Sequence, residues 1–191
     1  VVVADGVAPG ISGVAKQWKR MLGIEANVYI TTTSQARADK ARFTGPHRVI
    51  GSATLDVNEK GSMRKMPDGS YYVVVSDTAS RAAVLETLAH ELGHVHQREV
   101  FEKADPKTKA AIRAEHDKWV KSQQGATAQD LIQSLRARAT GKTTRVPPTQ
   151  LASELTSYWT SFSEWYADQV SRWATTSDRP VTVVERFFAR L

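Results

Sequence analysis

The sequence contains no cysteine. That excludes disulfides and thiolate-bound metal, and it leaves His, Asp and Glu as the side chains able to hold a transition metal. Long apolar runs are also missing. None approaches the roughly 18–20 residues of a membrane-spanning helix. The opening Val1-Val2-Val3-Ala4-Asp5-Gly6 carries neither the basic stretch nor the apolar segment of a secretory signal. It also lacks an initiator Met, so the chain reads as an excised domain or processed piece of a larger protein, its compartment unspecified. Internal repeats and low-complexity tracts are absent. Acidic residues are in deficit, 20 against 26 basic ones, giving a net charge of +6. The excess Lys and Arg are spread along the chain and no nucleic-acid-binding motif accompanies them. The charge therefore reads as solubility, with nucleic-acid binding kept as an alternative.

What is present suits one soluble domain. A chain of 191 residues is long enough for one sizeable core and too short for two ordinary ones. A helix is expected over Val14–Leu22, stopped by Gly23. The β-branched run Asn27–Thr33 predicts a strand, with shorter ones at 49–51 and 53–57. Residues 58–69 are polar, end in the turn Pro67-Asp68-Gly69 and read as a loop. Tyr71–Val75 follows as a strong strand, which predicts a hairpin with the strand before that loop. After Asp77 the pattern is helical: Ser80 caps a helix to about Phe101, and Asp105-Pro106 opens another to about Ser122. Further helices are expected at Thr127–Ala139, Thr149 to about Thr175, and from Pro180 to Leu191. The expected fold is α+β, a single domain over 1–191. A small mixed or antiparallel sheet (about 24–77) precedes an active-site helix and a mostly helical half (about 80–191).

Within the first long helix stands His90-Glu91-Leu92-Gly93-His94. Two His four residues apart lie about 40° apart around a helix, so both rings can reach one metal ion. Leu85, Leu88, Leu92 and Val95 fall on the opposite side, so one face packs on a core while the other looks into a cleft. Glu91 sits at the edge of the His face, placed to act as general base on a metal-bound water without being a ligand. Gly93 in mid-helix costs about 1 kcal/mol relative to Ala, which a close approach by another element would explain. His96 lies on the other side of the helix and reads as a surface or outer-shell residue.

A catalytic zinc site commonly takes three protein ligands and a water. The long C-terminal helix offers Glu164 and Asp168, about 40° apart on one face. Trp159, Phe162, Tyr166, Val170 and Trp173 line the opposite face. If the polar faces of the two helices meet, Glu164 becomes the third ligand, and Asp168 holds a ligating His by hydrogen bond. Asp168 itself, Glu115 and His116 remain alternative ligands. Tyr158, Tyr166 and His116 are nominal donors for the oxyanion, and the sequence does not choose among them.

The motif His90-Glu91-x-x-His94 with Glu164-x-x-x-Asp168 resembles the gluzincin, or thermolysin-like, branch of zinc metallopeptidases. The resemblance implies a zincin-like fold with one zinc ion per chain. It implies Glu164 as third ligand and Asp168 as partner of the first His, and it implies peptide-bond hydrolysis of a protein or peptide substrate by a zinc-bound water. It also implies that the strand before the active-site helix, Tyr71–Val75, lines the cleft and pairs with extended substrate. Far more residues separate His94 from Glu164 than in the thermolysin type itself, which makes the chain divergent. The metzincin branch is excluded, because Gln97 and Val100 stand where it needs Gly and His. The segment from Glu164 to Leu191 resembles large phage or mobile-element proteins with embedded peptidase domains. A binding or structural module with a relic metal site is the competing reading.

Overall fold

The computed structural model describes residues 1–38, 61–76, 78–123, 160–175 and 182–189. The strands expected at 49–51 and 53–57, the helix at 127–139 and Tyr158 lie outside them. Among the described residues four strands form one sheet: β1 (Val2–Val3), β2 (Val28–Thr32), β3 (Gly61–Lys65) and β4 (Tyr71–Val75), in the order β1-β2-β4-β3. β1, β2 and β4 run parallel, with Ile30 opposite Val73, and β3 runs antiparallel to β4, with Met63 opposite Val73. The sheet is thus mixed and mainly parallel, not antiparallel. Two parallel neighbours need a crossover between them, which the long connection from β2 to β4 supplies. β2 and β4 are the central strands, and β4 is buried along its whole length. Their runs of β-branched and aromatic residues suit strands covered on both faces.

β3 lies inside the stretch expected to be loop, so it is the outer strand of the hairpin. Its residues are mostly polar with a terminal Lys65, a composition that suits an edge strand. Pro67-Asp68-Gly69 forms the turn as expected, and Ser70 N–H donates to Asp68 Oδ1 at 2.9 Å. Because β4 is flanked by both β2 and β3, its backbone is already paired on each side. An extended substrate therefore cannot add to it, contrary to the expectation for Tyr71–Val75.

Among the described residues the helices are α1 (Ile11–Met21), α2 (Thr33–Ala38), α3 (Arg81–Glu99), α4 (Pro106–Ser122), α5 (Phe162–Thr175) and α6 (Val183–Ala189). A 3-10 turn at Phe101–Lys103 joins α3 to α4. α1 ends where Gly23 takes φ 61°. There Ile24 N–H bonds Lys19 C=O and Gly23 N–H bonds Arg20 C=O, a Schellman closure. Ser80 caps α3 through Ala83 N–H, and Asp105 caps α4 through Thr108 N–H with Pro106 next. The expected helix from 149 to 175 does not run through. Thr160 and Ser161 form a turn, and Ser161 Oγ accepts from Glu164 N–H at 3.3 Å, so α5 begins at Phe162. Ser161-x-x-Glu164 is a capping sequence whose stop signal outweighs the helical pattern before it.

α3 lies between the sheet and α5. Leu88, Leu92 and Val95 join Val28, Ile30, Tyr71, Val73 and Val75 in the core, which continues through Tyr166, Val170, Phe101, Ile112 and Phe188. Gly93 sets the approach of the two helices. A Cβ built on it would lie 2.7 Å from Ala167 Cα and 2.8 Å from Ala167 C=O, closer than side chains tolerate. This is the close approach that justifies a mid-helix glycine. No helix of the described residues is long and apolar enough to cross a membrane.

Candidate metal centre

The close crossing at Gly93 and Ala167 brings the polar face of α3 against that of α5. His90 Nε2 lies 3.2 Å from Glu164 Oε2, and His94 Nε2 lies 3.4 Å from Glu164 Oε1. His90, His94 and Glu164 each offer a ligand atom, all within 4.8 Å of one another, and no other such group occurs among the described residues. Ligand atoms about 2.0–2.2 Å from a tetrahedral zinc ion stand roughly 3.3–3.5 Å apart. The two His–Glu separations lie close to that edge, each to a different oxygen of Glu164. The rings of His90 and His94 meet edge to face, their centroids 4.9 Å apart.

The remaining hydrogen bonds decide which atoms carry protons. His90 Nδ1 lies 2.8 Å from Asp168 Oδ1. A carboxylate only accepts, so Nδ1–H donates and Nε2 is left with a lone pair in the neutral ring. His94 Nδ1 lies 3.1 Å from Ser163 Oγ, whose own hydroxyl donates to Gln97 Oε1 at 2.9 Å. His94 Nδ1–H therefore donates to Ser163, and its Nε2 also presents a lone pair. With both rings neutral, two imidazole lone pairs would face two carboxylate oxygens. Acceptor against acceptor repels unless a proton or a cation stands between them.

Charge points the same way. Glu91, Glu164 and Asp168 are each only 6% exposed, and buried carboxylates are costly without a compensating positive charge. Asp168 Oδ2 is buried without a hydrogen-bond partner. Burial alone opposes protonation of His90, yet Asp168, then Glu164 and Glu91, outweigh it and hold the ring well above its usual value. In His94 burial wins, aided by the charge on His90, and the ring falls to about 4. With no cation in the balance a proton on His90 takes up part of the negative surplus. A divalent cation would take up more.

The alternatives sort cleanly. Asp168 bonds His90 and stays outside the three-atom group. Glu115 is exposed. His116 donates from Nε2 to Thr160 C=O at 2.8 Å, among Phe162, Trp165 and Trp119. Both tested oxyanion donors are occupied, His116 at Thr160 and Tyr166 at His96. His96 is a correction: it is 1% exposed, not a surface residue, with Nδ1 2.9 Å from Tyr166 Oη. Burial lowers it to about 4, so the neutral ring accepts from the Tyr166 hydroxyl. Ser163 and Gln97 are functional neighbours that the motif reading missed, although Ser163 directly precedes Glu164 and Gln97 follows His94 by three residues on the same helix.

No family model, curated protein or solved structure matches this chain. The reading of the site therefore rests on the residues and their geometry.

Proposed function

We propose that the chain is a zinc-dependent peptidase of gluzincin type, with one zinc ion on His90, His94 and Glu164. One observation carries this reading. Both Nε2 atoms face the two oxygens of Glu164, while both Nδ1 atoms are engaged on the far side of their rings by Asp168 and Ser163. Among the described residues β3, which packs beside α3, is an edge strand that an extended peptide would join by backbone pairing. The resemblance of the segment from Glu164 to Leu191 suggests a peptidase embedded in a larger phage or mobile-element protein.

Zinc, when bound, supplies a Lewis acid that brings a water's pKa towards 7. Glu91 follows His90 on α3 and stands outside the ligand group, so it is the base that takes the proton from the attacking water. Returned to the amine, the same proton lets the leaving group depart. Asp168 fixes the tautomer and orientation of His90. Burial of all three carboxylates keeps bulk water from screening the site.

The substitution Glu91→Gln separates chemistry from binding. It is expected to keep one zinc per chain by elemental analysis, while hydrolysis of an unfolded protein substrate falls by about 10²–10⁴-fold. Wild-type turnover in that variant would remove Glu91 from the mechanism. Zinc retention with an inactive wild type would instead favour the relic-site module.

A further inference from the structure

The two histidines of the site are held by unlike partners. His90 leans on a buried carboxylate, the usual companion of a metal-binding imidazole. His94 leans on a neutral pair instead. Its Nδ1 is 3.1 Å from Ser163 Oγ, and Ser163 Oγ is 2.9 Å from Gln97 Oε1. The three groups come from two helices. Gln97 sits one turn after His94 on α3, and Ser163 precedes Glu164 in the first turn of α5.

We propose that Gln97 and Ser163 form a relay that sets the tautomer of His94 and so keeps its Nε2 lone pair turned to the cation position. The argument is donor counting. A serine hydroxyl has one hydrogen and can donate once. If Gln97 Oε1 receives that hydrogen, Ser163 can only accept from His94, so the imidazole proton must sit on Nδ1. If the relay ran the other way, Ser163 would donate to Nδ1. The imidazole proton would then move to Nε2 and occupy the lone pair the metal needs. A serine alone fits either direction, and Gln97 supplies the polarity. Ser163 and Gln97 are positioning residues, acting through His94.

This inference rests on the zinc reading for its purpose but not for its test. The direct measurement is the tautomer of His94 in metal-free wild-type protein, read from imidazole nitrogen shifts by NMR. The expected result is a proton on Nδ1. In Ser163→Ala both tautomers are expected, with zinc affinity lower by about 10-fold or more, while Ser163→Thr restores both readouts. Gln97→Glu, which can only accept, is expected to keep the Nδ1–H form and wild-type or tighter zinc binding. A proton on Nε2 in the wild type would overturn the relay, and so would an unchanged tautomer and unchanged zinc affinity in Ser163→Ala. Should Ser163→Ala fail to fold, the wild-type tautomer and Gln97→Glu still decide. A wild type that takes up no zinc yet shows Nδ1–H would leave the relay standing and remove the peptidase reading instead.

Discussion

Helix α3 carries two charge clusters, and they are balanced in opposite ways. At its C-terminal end Glu99 meets cations from the protein itself. Its Oε1 accepts from Tyr71 Oη at 2.6 Å and from Lys65 Nζ at 3.3 Å, and its Oε2 accepts from Lys103 Nζ at 2.9 Å. At mid-helix, Nε2 of His90 and of His94 faces the oxygens of Glu164, and His90 Nδ1–H donates to Asp168. The first cluster is complete and joins helix, hairpin and 3-10 turn. The second groups ligand atoms of His90, His94 and Glu164 within 4.8 Å of one another, an arrangement able to hold a metal ion. The first is built from Glu99, a tyrosine and two lysines, the second from two histidines on α3 and two carboxylates on α5. Glu99 is matched by Lys65 and Lys103, whereas the proposed role of the mid-helix group is to take its positive charge from a metal ion.

The contrast can be broken from the metal side first. Asp168→Asn leaves an acceptor for His90 Nδ1–H but removes the charge, and zinc affinity is expected to fall about 10–100-fold. Competition against a chromogenic chelator measures this. The same variant should leave the Glu99 cluster intact, so a large loss of fold stability would show that the two clusters are not independent.

The junction between the helices comes next. Gly93→Ala gains about 1 kcal/mol of helix propensity, but the added carbon meets Ala167 backbone at 2.7–2.8 Å. Overpacking of that kind costs about 1–3 kcal/mol. Since rigid backbone is the neighbour, the upper part of that range applies. Urea unfolding is therefore expected to give a net loss of stability, together with weaker zinc binding as α5 is pushed away. A more stable variant with normal zinc affinity would contradict the close approach.

The closed cluster at Glu99 comes last. Glu99→Gln removes a charged acceptor and is expected to cost about 1–3 kcal/mol near neutral pH, with zinc binding unchanged. The hydrogen bonds from Tyr71 and Lys103, with Lys65 adding to them, lower Glu99 from 4.5 to about 2. A depressed carboxylate stabilises the fold above its unfolded value and stops doing so as it is protonated. The gap between wild type and variant should thus be full above pH 4.5 and close as pH falls towards 2. Chemical denaturation across that range tests it, and a gap constant with pH would assign the effect to packing.

Much of the site was legible because it is written locally. Helical spacing puts His90 with His94 and Glu164 with Asp168, and Ser80, Asp105 and Gly23 mark helix ends by their own chemistry. The glycine at 93 signalled a close neighbour without naming Ala167. Other features were not legible because they depend on partners distant in sequence. β3 carries few apolar residues, and pairing with β4 alone makes it a strand. His96 looks like any polar position on a helical wheel until Tyr166 and the core close over it. The neutral relay on His94 joins residues 66 positions apart, Gln97 and Ser163. Ser161 was a local signal too: its capping sequence with Glu164 starts α5 at Phe162.

The central claim is that the mid-helix cluster awaits a cation held by Glu164. The most direct test is elemental analysis of dialysed wild-type protein beside Glu164→Ala. The account predicts about one zinc per chain in the wild type and little in the variant. Absence of zinc from the wild type after reconstitution, or equal zinc in both proteins, would contradict it.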